Sequence, residues 1–169
     1  MKIGVLSDTH DQRANILKAV EILNSRNVEL VIHCGDWVSP FTLKYYQGLK
    51  CPMKGIFGNN DGDKFRHVQR LADLKVKISY EERFLSLTLD GRKIAAFHGD
   101  YQEIVDALIA CGQYDAVFHG HNHTAENKMI GKTLSVNPGT LMDVTSDTTK
   151  GASLAIYDTA TNTAELVSL

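Results

Sequence analysis

The sequence predicts an α/β domain, with a parallel sheet and crossover helices in its first half and a mixed second sheet in the rest. Three observations carry that prediction. Up to residue 62, apolar runs and helical repeats alternate in the order β-α-β-α-β, the pattern of parallel strands joined by crossover helices. Beyond it the pattern changes to a hairpin, one further helix and a string of short strand-like runs. Five of the apolar runs also end in aspartate, histidine or asparagine.

Lys2–Leu6 is a β-prone run that closes in the polar turn Ser7-Asp8. Residues 13–25 place Ile16, Leu17, Val20 and Leu23 at helical spacing. A second buried strand spans 29–33 and is ended by Gly35-Asp36. Pro40 can open a short helix through Tyr46, because proline is tolerated in a first helical turn. A third strand, 53–57, is closed by Gly58-Asn59-Asn60-Asp61-Gly62. Phe84–Leu89 and residues 93–97 flank Asp90-Gly91, a favoured two-residue hairpin turn. Ile104, Val105, Leu108 and Ile109 mark the next helix, with Gly112 as its stop. Ala116–Phe118 is a strand, followed by strand-like runs at 125–130, 133–136, 152–157 and 163–167. No repeat, low-complexity segment or linker interrupts the chain, so residues 1–169 read as one domain.

Composition narrows the class. A chain of 169 residues can bury a substantial core, and 43% hydrophobic with 22% charged residues is the balance of a soluble globular protein. The net charge of −2 leaves no footprint for nucleic acid or an anionic membrane. Lys64, Arg66, Arg70, Lys75 and Lys77 are interleaved with Asp73, Glu81 and Glu82 and read as solvated surface. No apolar run reaches the ~18 residues of a membrane helix, and the opening run is too short for a signal-peptide core. Cys34, Cys51 and Cys111 lack metal-motif spacing and read as reduced thiols of a cytoplasmic protein.

The strand ends carry the chemistry. They read Ser7-Asp8-Thr9-His10, His33-Cys34-Gly35-Asp36, Gly58-Asn59-Asn60-Asp61, His98-Gly99-Asp100 and Gly120-His121-Asn122-His123. Ligands of open α/β sheets bind outside the carboxyl ends of the strands, so five such ends would surround one crevice. Carboxylate, imidazole and amide oxygen, with no thiolate, are donors suited to divalent transition metals.

Taken in order, Asp8-Thr9-His10, Gly35-Asp36, Gly58-Asn59-Asn60-Asp61, His98-Gly99 and Gly120-His121-Asn122-His123 resemble the motifs of calcineurin-like metallophosphoesterases. Asn137-Pro138-Gly139-Thr140 is similar to a further loop of the small, single-domain prokaryotic phosphodiesterases in that family. The resemblance implies a four-layer α-β-β-α sandwich, two packed mixed sheets flanked by helices. It also implies two metal positions: Asp8, His10, Asp36 and His123 at one, and Asp36, Asn59, His98 and His121 at the other, with Asp36 bridging. Ions sharing one carboxylate sit ~3.5–4 Å apart, close enough to share a water. The implied reaction is phosphodiester hydrolysis by in-line attack of a hydroxide bridging the ions. The resemblance implies Asp36, Asn59, Asn60 and His98 as the catalytic set. Manganese is the first choice of ion, and the ligands also suit nickel, iron, cobalt or zinc. The implied substrate is a small or nucleotide-like phosphodiester, with no membrane partner and a homo-oligomer left open.

One position departs from the family pattern. Many catalytic relatives carry Asn-His where this chain has Asn59-Asn60, and an amide cannot serve as a general acid at neutral pH. Good leaving groups are therefore expected to be preferred. Two rival readings stand beside the phosphodiesterase: a protein-interaction scaffold, as in a retromer subunit of this family, and a phosphomonoesterase. The dianion of a monoester calls for extra cations, and Arg13 and Lys64 are the nearest to the motif loops in sequence.

The remaining polar residues have plainer readings. His33 and His119 are expected to be structural, His67 a surface residue, Cys34 core, and Asp61 a loop fastener. Trp37 fits either the core or the rim of the crevice. Asn122 is expected to point away and to be exchangeable at little cost. Gly131-Lys132-Thr133 is not a phosphate loop, because Glu126 stands where the earlier glycine is needed.

Overall fold

The structure, a computed structural model, describes residues 1–143 and 151–169. Its first sheet runs β11-β10-β1-β2-β3-β4, built from β1 (Lys2–Leu6), β2 (Leu30–His33), β3 (Met53–Gly55), β4 (Ile78–Tyr80), β10 (Ser153–Asp158) and β11 (Thr163–Ser168). β1 through β4 are parallel, while β10 and β11 are antiparallel to their neighbours. The second sheet runs β5-β6-β7-β9-β8, from β5 (Phe84–Leu89), β6 (Arg92–Phe97), β7 (Ala116–Phe118), β8 (Glu126–Ile130) and β9 (Thr133–Asn137). Here β6, β7 and β9 are parallel, and the hairpins at both ends are antiparallel. Both sheets are mixed, as expected.

Alternation along the strands builds the layers. Ile3 and Val5 of β1 join Ile94 and Ala96 of β6 and Phe118 of β7 in an apolar layer between the sheets. Leu6 faces the other way, onto Ile16, Ala19, Val20 and Leu23 of α1 (Arg13–Ser25). Across the second sheet, Ala95, Phe97 and Val117 pack on Val105 and Ile109 of α3 (Gln102–Ala110). Three apolar clusters between four layers give the α-β-β-α order.

Several details differ from the sequence reading. The segment opened by Pro40 is a 3-10 helix, Pro40–Tyr46, rather than an α-helix, with the Ser39 side chain capping it at Phe41 N. β3 is assigned only as far as Gly55, although the next amides stay bonded to the neighbouring segments, Ile56 N to His33 O at 3.0 Å and Phe57 N to Glu82 O at 2.9 Å. α2 (Lys64–Asp73), N-capped by Asp63, lies in a segment whose sequence is helix-like and charged but without a core-facing pattern, and β4 had no clear pattern. α2 explains why, since His67 is its one buried residue. The surface expectation for His67 is therefore overturned. It is fully buried, with Nδ1 3.0 Å from Tyr80 Oη and its ring among Trp37, Phe57 and Tyr80. Burial biases this imidazole toward its neutral form. Trp37 belongs to the core: it stacks on His33 at 3.5 Å and donates Nε1–H to Ile56 O at 2.9 Å.

Candidate metal centre

The carboxyl ends of β1, β2 and β3 in one sheet and of β6 and β7 in the other deliver the loops around 8–10, 34–36, 58–61, 98–100 and 120–123 to a common edge. Five non-glycine residues on these loops have left-handed backbones: Asp8 (φ 52°), His10 (39°), Asp36 (59°), His121 (71°) and His123 (58°). Such a conformation costs roughly 1–3 kcal/mol per non-glycine residue and persists only where its surroundings impose it. Tight backbone bonds do so here, from Asp8 N to Gly35 O (2.9 Å) and from Gly120 N to His98 O (2.8 Å). Glycine is required where the strands' ends come closest. A Cβ on Gly120 would strike Ser7 Oγ and the Asp8 carboxylate, and one on Gly58 would strike Asp36.

Asp8 is fully buried. Its Oδ2 accepts from Ser7 Oγ at 2.5 Å and from His121 N at 2.9 Å. Among the described residues its Oδ1 is buried with no hydrogen-bond partner, 3.3 Å from His123 Nε2 and 3.7 Å from His10 Nε2. Those two nitrogens are themselves 3.2 Å apart. A bare carboxylate oxygen facing two imidazole nitrogens is a donor set that a divalent cation would complete, and the residues fit one. Burial pulls the Asp8 carboxyl upward, but the imidazoles of His10 and His123 outweigh it and hold the group far below the usual carboxylate range.

Asp36 joins this set to a second. Its Oδ2 lies 3.6 Å from His10 Nε2 and 3.4 Å from His98 Nε2. Asn59 Oδ1 sits between His98 Nε2 (2.9 Å) and His121 Nδ1 (3.1 Å). His98 Nδ1 faces the Cys34 carbonyl at 2.8 Å, which can only accept, so Nδ1 carries a proton and Nε2 is the atom turned toward Asp36. Burial lowers the His98 pKa, yet Asp36 and Asp8 together raise it above the ordinary value. Two clusters have donor atoms within 4.8 Å of one another, Asp8-His10-His123 and Asp8-Asp36-His98. All seven candidate ligands are thus brought to one edge. Asp8 lies within reach of both clusters, and His121 reaches the second through Asn59.

Asn60 is bound to the shared carboxylate. Its backbone N–H donates to Asp36 Oδ1 (2.9 Å) and its amide Nδ2 to Asp36 Oδ2 (2.7 Å). Asp61 is a loop fastener, as expected, accepting from Asp36 N, Gly58 N and Val38 N at 3.0, 2.7 and 2.8 Å. Arg83 was not visible as a neighbour of the site, standing in an unremarkable run between β4 and β5. Its guanidinium forms an ion pair with Asp100, two residues after His98.

Asn122 has loop partners that its sequence position did not reveal. Its Oδ1 accepts from Thr124 N and from Asn137 Nδ2, both at 2.9 Å, closing the turn that carries His121 and His123. Buried Asn137 also donates to Gly120 O at 3.1 Å, and Thr140 Oγ1 donates to Asp8 O at 2.7 Å. The 137–140 loop therefore fastens the edge. Asn137→Ala is expected to weaken metal affinity about 10–100-fold, the range for residues that orient ligands, with Asn122→Ala at the lower end. Calorimetric titration of the metal-free proteins measures this, and unchanged affinity in both variants would exclude the role.

His33 and His119 are structural. His119 Nε2 meets Ser135 Oγ at 3.0 Å. His33 accepts Gly35 N–H at Nδ1 (3.1 Å), leaving Nε2–H for Thr9 Oγ1 (3.2 Å), whose hydroxyl reaches Asp36 O (3.4 Å). Burial pushes this imidazole down to about 3 from 6.5. A depressed folded-state pKa contributes stability that is complete above 6.5 and is lost as the pH falls toward 3. Metal-free protein should therefore lose about 1.4 kcal/mol per pH unit through this group below 6.5. His33→Gln should show a shallower loss between pH 7 and about pH 5 in urea denaturation. Equal slopes would rule the group out.

Comparison with known proteins agrees with this geometry. The calcineurin-like phosphoesterase superfamily domain matches residues 1–162. The chain is 40% identical over 139 residues to the phosphodiesterase MJ0936 of Methanocaldococcus jannaschii, covering 82% of this chain and 83% of that protein. The solved structure of an archaeal phosphodiesterase superposes with a TM-score of 0.89 at 36% identity, covering 100% of both chains. The fold is shared more distantly with YfcE, a phosphoesterase from E. coli, at a TM-score of 0.70 and 15% identity over 94% of this chain and 89% of that one. On the family match and the 40%-identical relative together, the chain belongs to the calcineurin-like phosphoesterase superfamily.

Proposed function

We propose that this chain is a phosphodiesterase that works with two divalent ions, manganese being the first choice. Asp8, His10, Asp36 and His123 would hold one ion, and Asp36, Asn59, His98 and His121 the other. The observation that carries the reading is the buried Oδ1 of Asp8, without a hydrogen-bond partner among the described residues, facing two imidazole nitrogens, with Asp36 Oδ2 near both His10 and His98. When bound, two such ions supply an acidified water and positive charge for the phosphoryl oxygens. The protein's part is to fix the donors. Asn60 and Asp61 anchor the Asp36 carboxylate and backbone, the Cys34 carbonyl orients His98, and Asn137 sets the loop bearing His121 and His123.

A diester is favoured over a monoester because two cations close in sequence or contact to the motif loops, Arg83 and Lys64, are already taken up by Asp100 and Glu82. The scaffold reading is disfavoured because no ligand of either set is missing. The relative named a phosphodiesterase supports the same choice. The unpaired thiols of Cys34, Cys51 and Cys111 suit a reducing compartment.

Comparing bis(p-nitrophenyl) phosphate with p-nitrophenyl phosphate, in manganese-loaded and chelator-treated protein, tests the reading. The diester should be hydrolysed at least about ten-fold faster, and chelation should abolish it. Equal or greater turnover of the monoester would favour the phosphomonoesterase. Silence on both substrates would restore the scaffold.

A further inference from the structure

Among the described non-glycine residues with left-handed backbones, Val38 alone is β-branched, at φ 72°. A side chain of that shape adopts the conformation only where its surroundings impose it. The strain sits two residues after Asp36, in a turn where Gly35 (φ 104°) and Asp36 (59°) are left-handed as well. Two partners hold the turn. On one side the Asp61 carboxylate accepts from Val38 N at 2.8 Å and from Asp36 N at 3.0 Å. On the other, His67 Nε2 lies 3.4 Å from Val38 O. A carbonyl only accepts, so Nε2 carries the proton and Nδ1 is left to accept from Tyr80 Oη at 3.0 Å. Both nitrogens of the imidazole are thereby committed. The ring itself stands edge-on to Trp37 at 6.5 Å, Phe57 at 5.8 Å and Tyr80 at 5.6 Å. Trp37 is the residue between Asp36 and Val38, and it packs so closely on Gly55 that a Cβ there would strike it. The one buried residue of α2 thus meets the Asp36 turn twice, at the Val38 carbonyl and at the Trp37 ring.

We propose that His67 is a positioning residue for Asp36. It holds Val38 in its strained conformation, and with it the carboxylate that lies near His10 and His98, although α2 supplies no ligand of its own. The inference rests on the two-ion reading above. One consequence separates this role from plain packing. The need for His67 arises from the Val38 backbone, so it should vanish in Val38→Gly, because glycine adopts a φ of this sign without steric cost.

The experiment titrates manganese into the metal-free full chain by calorimetry. His67→Phe keeps a ring among Trp37, Phe57 and Tyr80 but offers Val38 O no donor, and it should weaken manganese binding about 10–100-fold. His67→Gln, whose amide can still donate to that carbonyl, should recover part of the loss. Val38→Gly alone should bind within about three-fold of the parent, and adding His67→Phe to it should cost no more than about three-fold further. In metal-free protein, His67→Phe should speed hydrogen exchange at the Asp36 and Val38 amides at least about ten-fold. Exchange at the Gly120 amide, which is bonded to His98 O on the second sheet, should stay as it was. Tyr80→Phe removes only the hydroxyl behind the imidazole and keeps every ring, and it decides alone if His67→Phe does not fold. Its loss, about three-fold or more, should likewise be absent in the Val38→Gly background. A loss of equal size in both backgrounds, or exchange speeded alike at all three amides, means general loosening and overturns the inference. Unchanged manganese binding in His67→Phe and Tyr80→Phe overturns it too and leaves the two-ion reading intact. A parent chain that takes up no manganese overturns that reading, and the inference with it.

Discussion

Replacement of Asp36 by asparagine is expected to lower diester turnover by at least about 10³-fold and to reduce bound metal from two ions toward none. The magnitude follows from position. Asp36 Oδ2 lies near one imidazole of each proposed metal position, His10 at 3.6 Å and His98 at 3.4 Å. Losing it removes a negative donor from both positions at once and withdraws the charge that keeps two cations close together. A loss of this size corresponds to about 4 kcal/mol of transition-state stabilisation. Asparagine is the informative substitution. It keeps the side-chain volume, tolerates the left-handed backbone at φ 59°, and can still accept from Asn60 N, so a folded protein is expected. His123→Ala should behave differently, losing one ion and retaining the other. Metal analysis after gel filtration separates the two variants. Two ions retained in Asp36→Asn would remove the shared carboxylate from the account.

How much of this site could be read in the sequence depends on whether a residue announces itself by a local pattern. Asp8, His10, Asp36, His98 and His121 each follow an apolar run at a strand's end, so the parallel topology alone assembles them. The layers came only from the family resemblance: β1 and β6 are buried on both faces, so their apolar runs carry no period-two signal, and it is the folded structure that sorts alternate residues between the sheets and under the helices. What stayed hidden depends on long-range pairing. His67 sits in a charged helix with no apolar stripe, and only tertiary packing places its ring against Trp37, Phe57 and Tyr80. Asn122 takes its importance from Asn137, fifteen residues away. The basic residues of α2 were diluted along the chain by Asp73, Glu81 and Glu82. Folding sets Arg66 and Arg70 beside Phe41, more than twenty residues away in sequence. A charge census taken along the sequence cannot see partners that only the fold supplies.

The identity of the leaving group should dominate turnover more than any surface substitution, because position 60 is an asparagine. Its amide Nδ2 already donates to Asp36 Oδ2 at 2.7 Å, so its main part is to hold that carboxylate, and it has no proton to release at neutral pH. No other side chain on the loops takes over readily. Asp61 spends both carboxylate oxygens on three backbone amides, and His98 and His121 are committed to Asn59. Across aryl diesters of rising leaving-group pKa, the rate should therefore fall steeply, as developing charge on the departing oxygen goes unprotonated. General acid catalysis contributes ~10²–10⁴-fold where it operates. Asn60→His should restore part of it, raising alkyl and poor aryl diesters about 10²-fold while changing p-nitrophenyl esters little. The gain requires the new imidazole to leave Asp36 and face the substrate. The variant should therefore also show a rate that declines as the pH rises through the imidazole pKa, a limb absent from the parent protein. A flat leaving-group profile in the parent protein would mean that another proton donor serves the site. A steep profile left unchanged by Asn60→His would mean that geometry at position 60, and not its missing proton, limits the reaction.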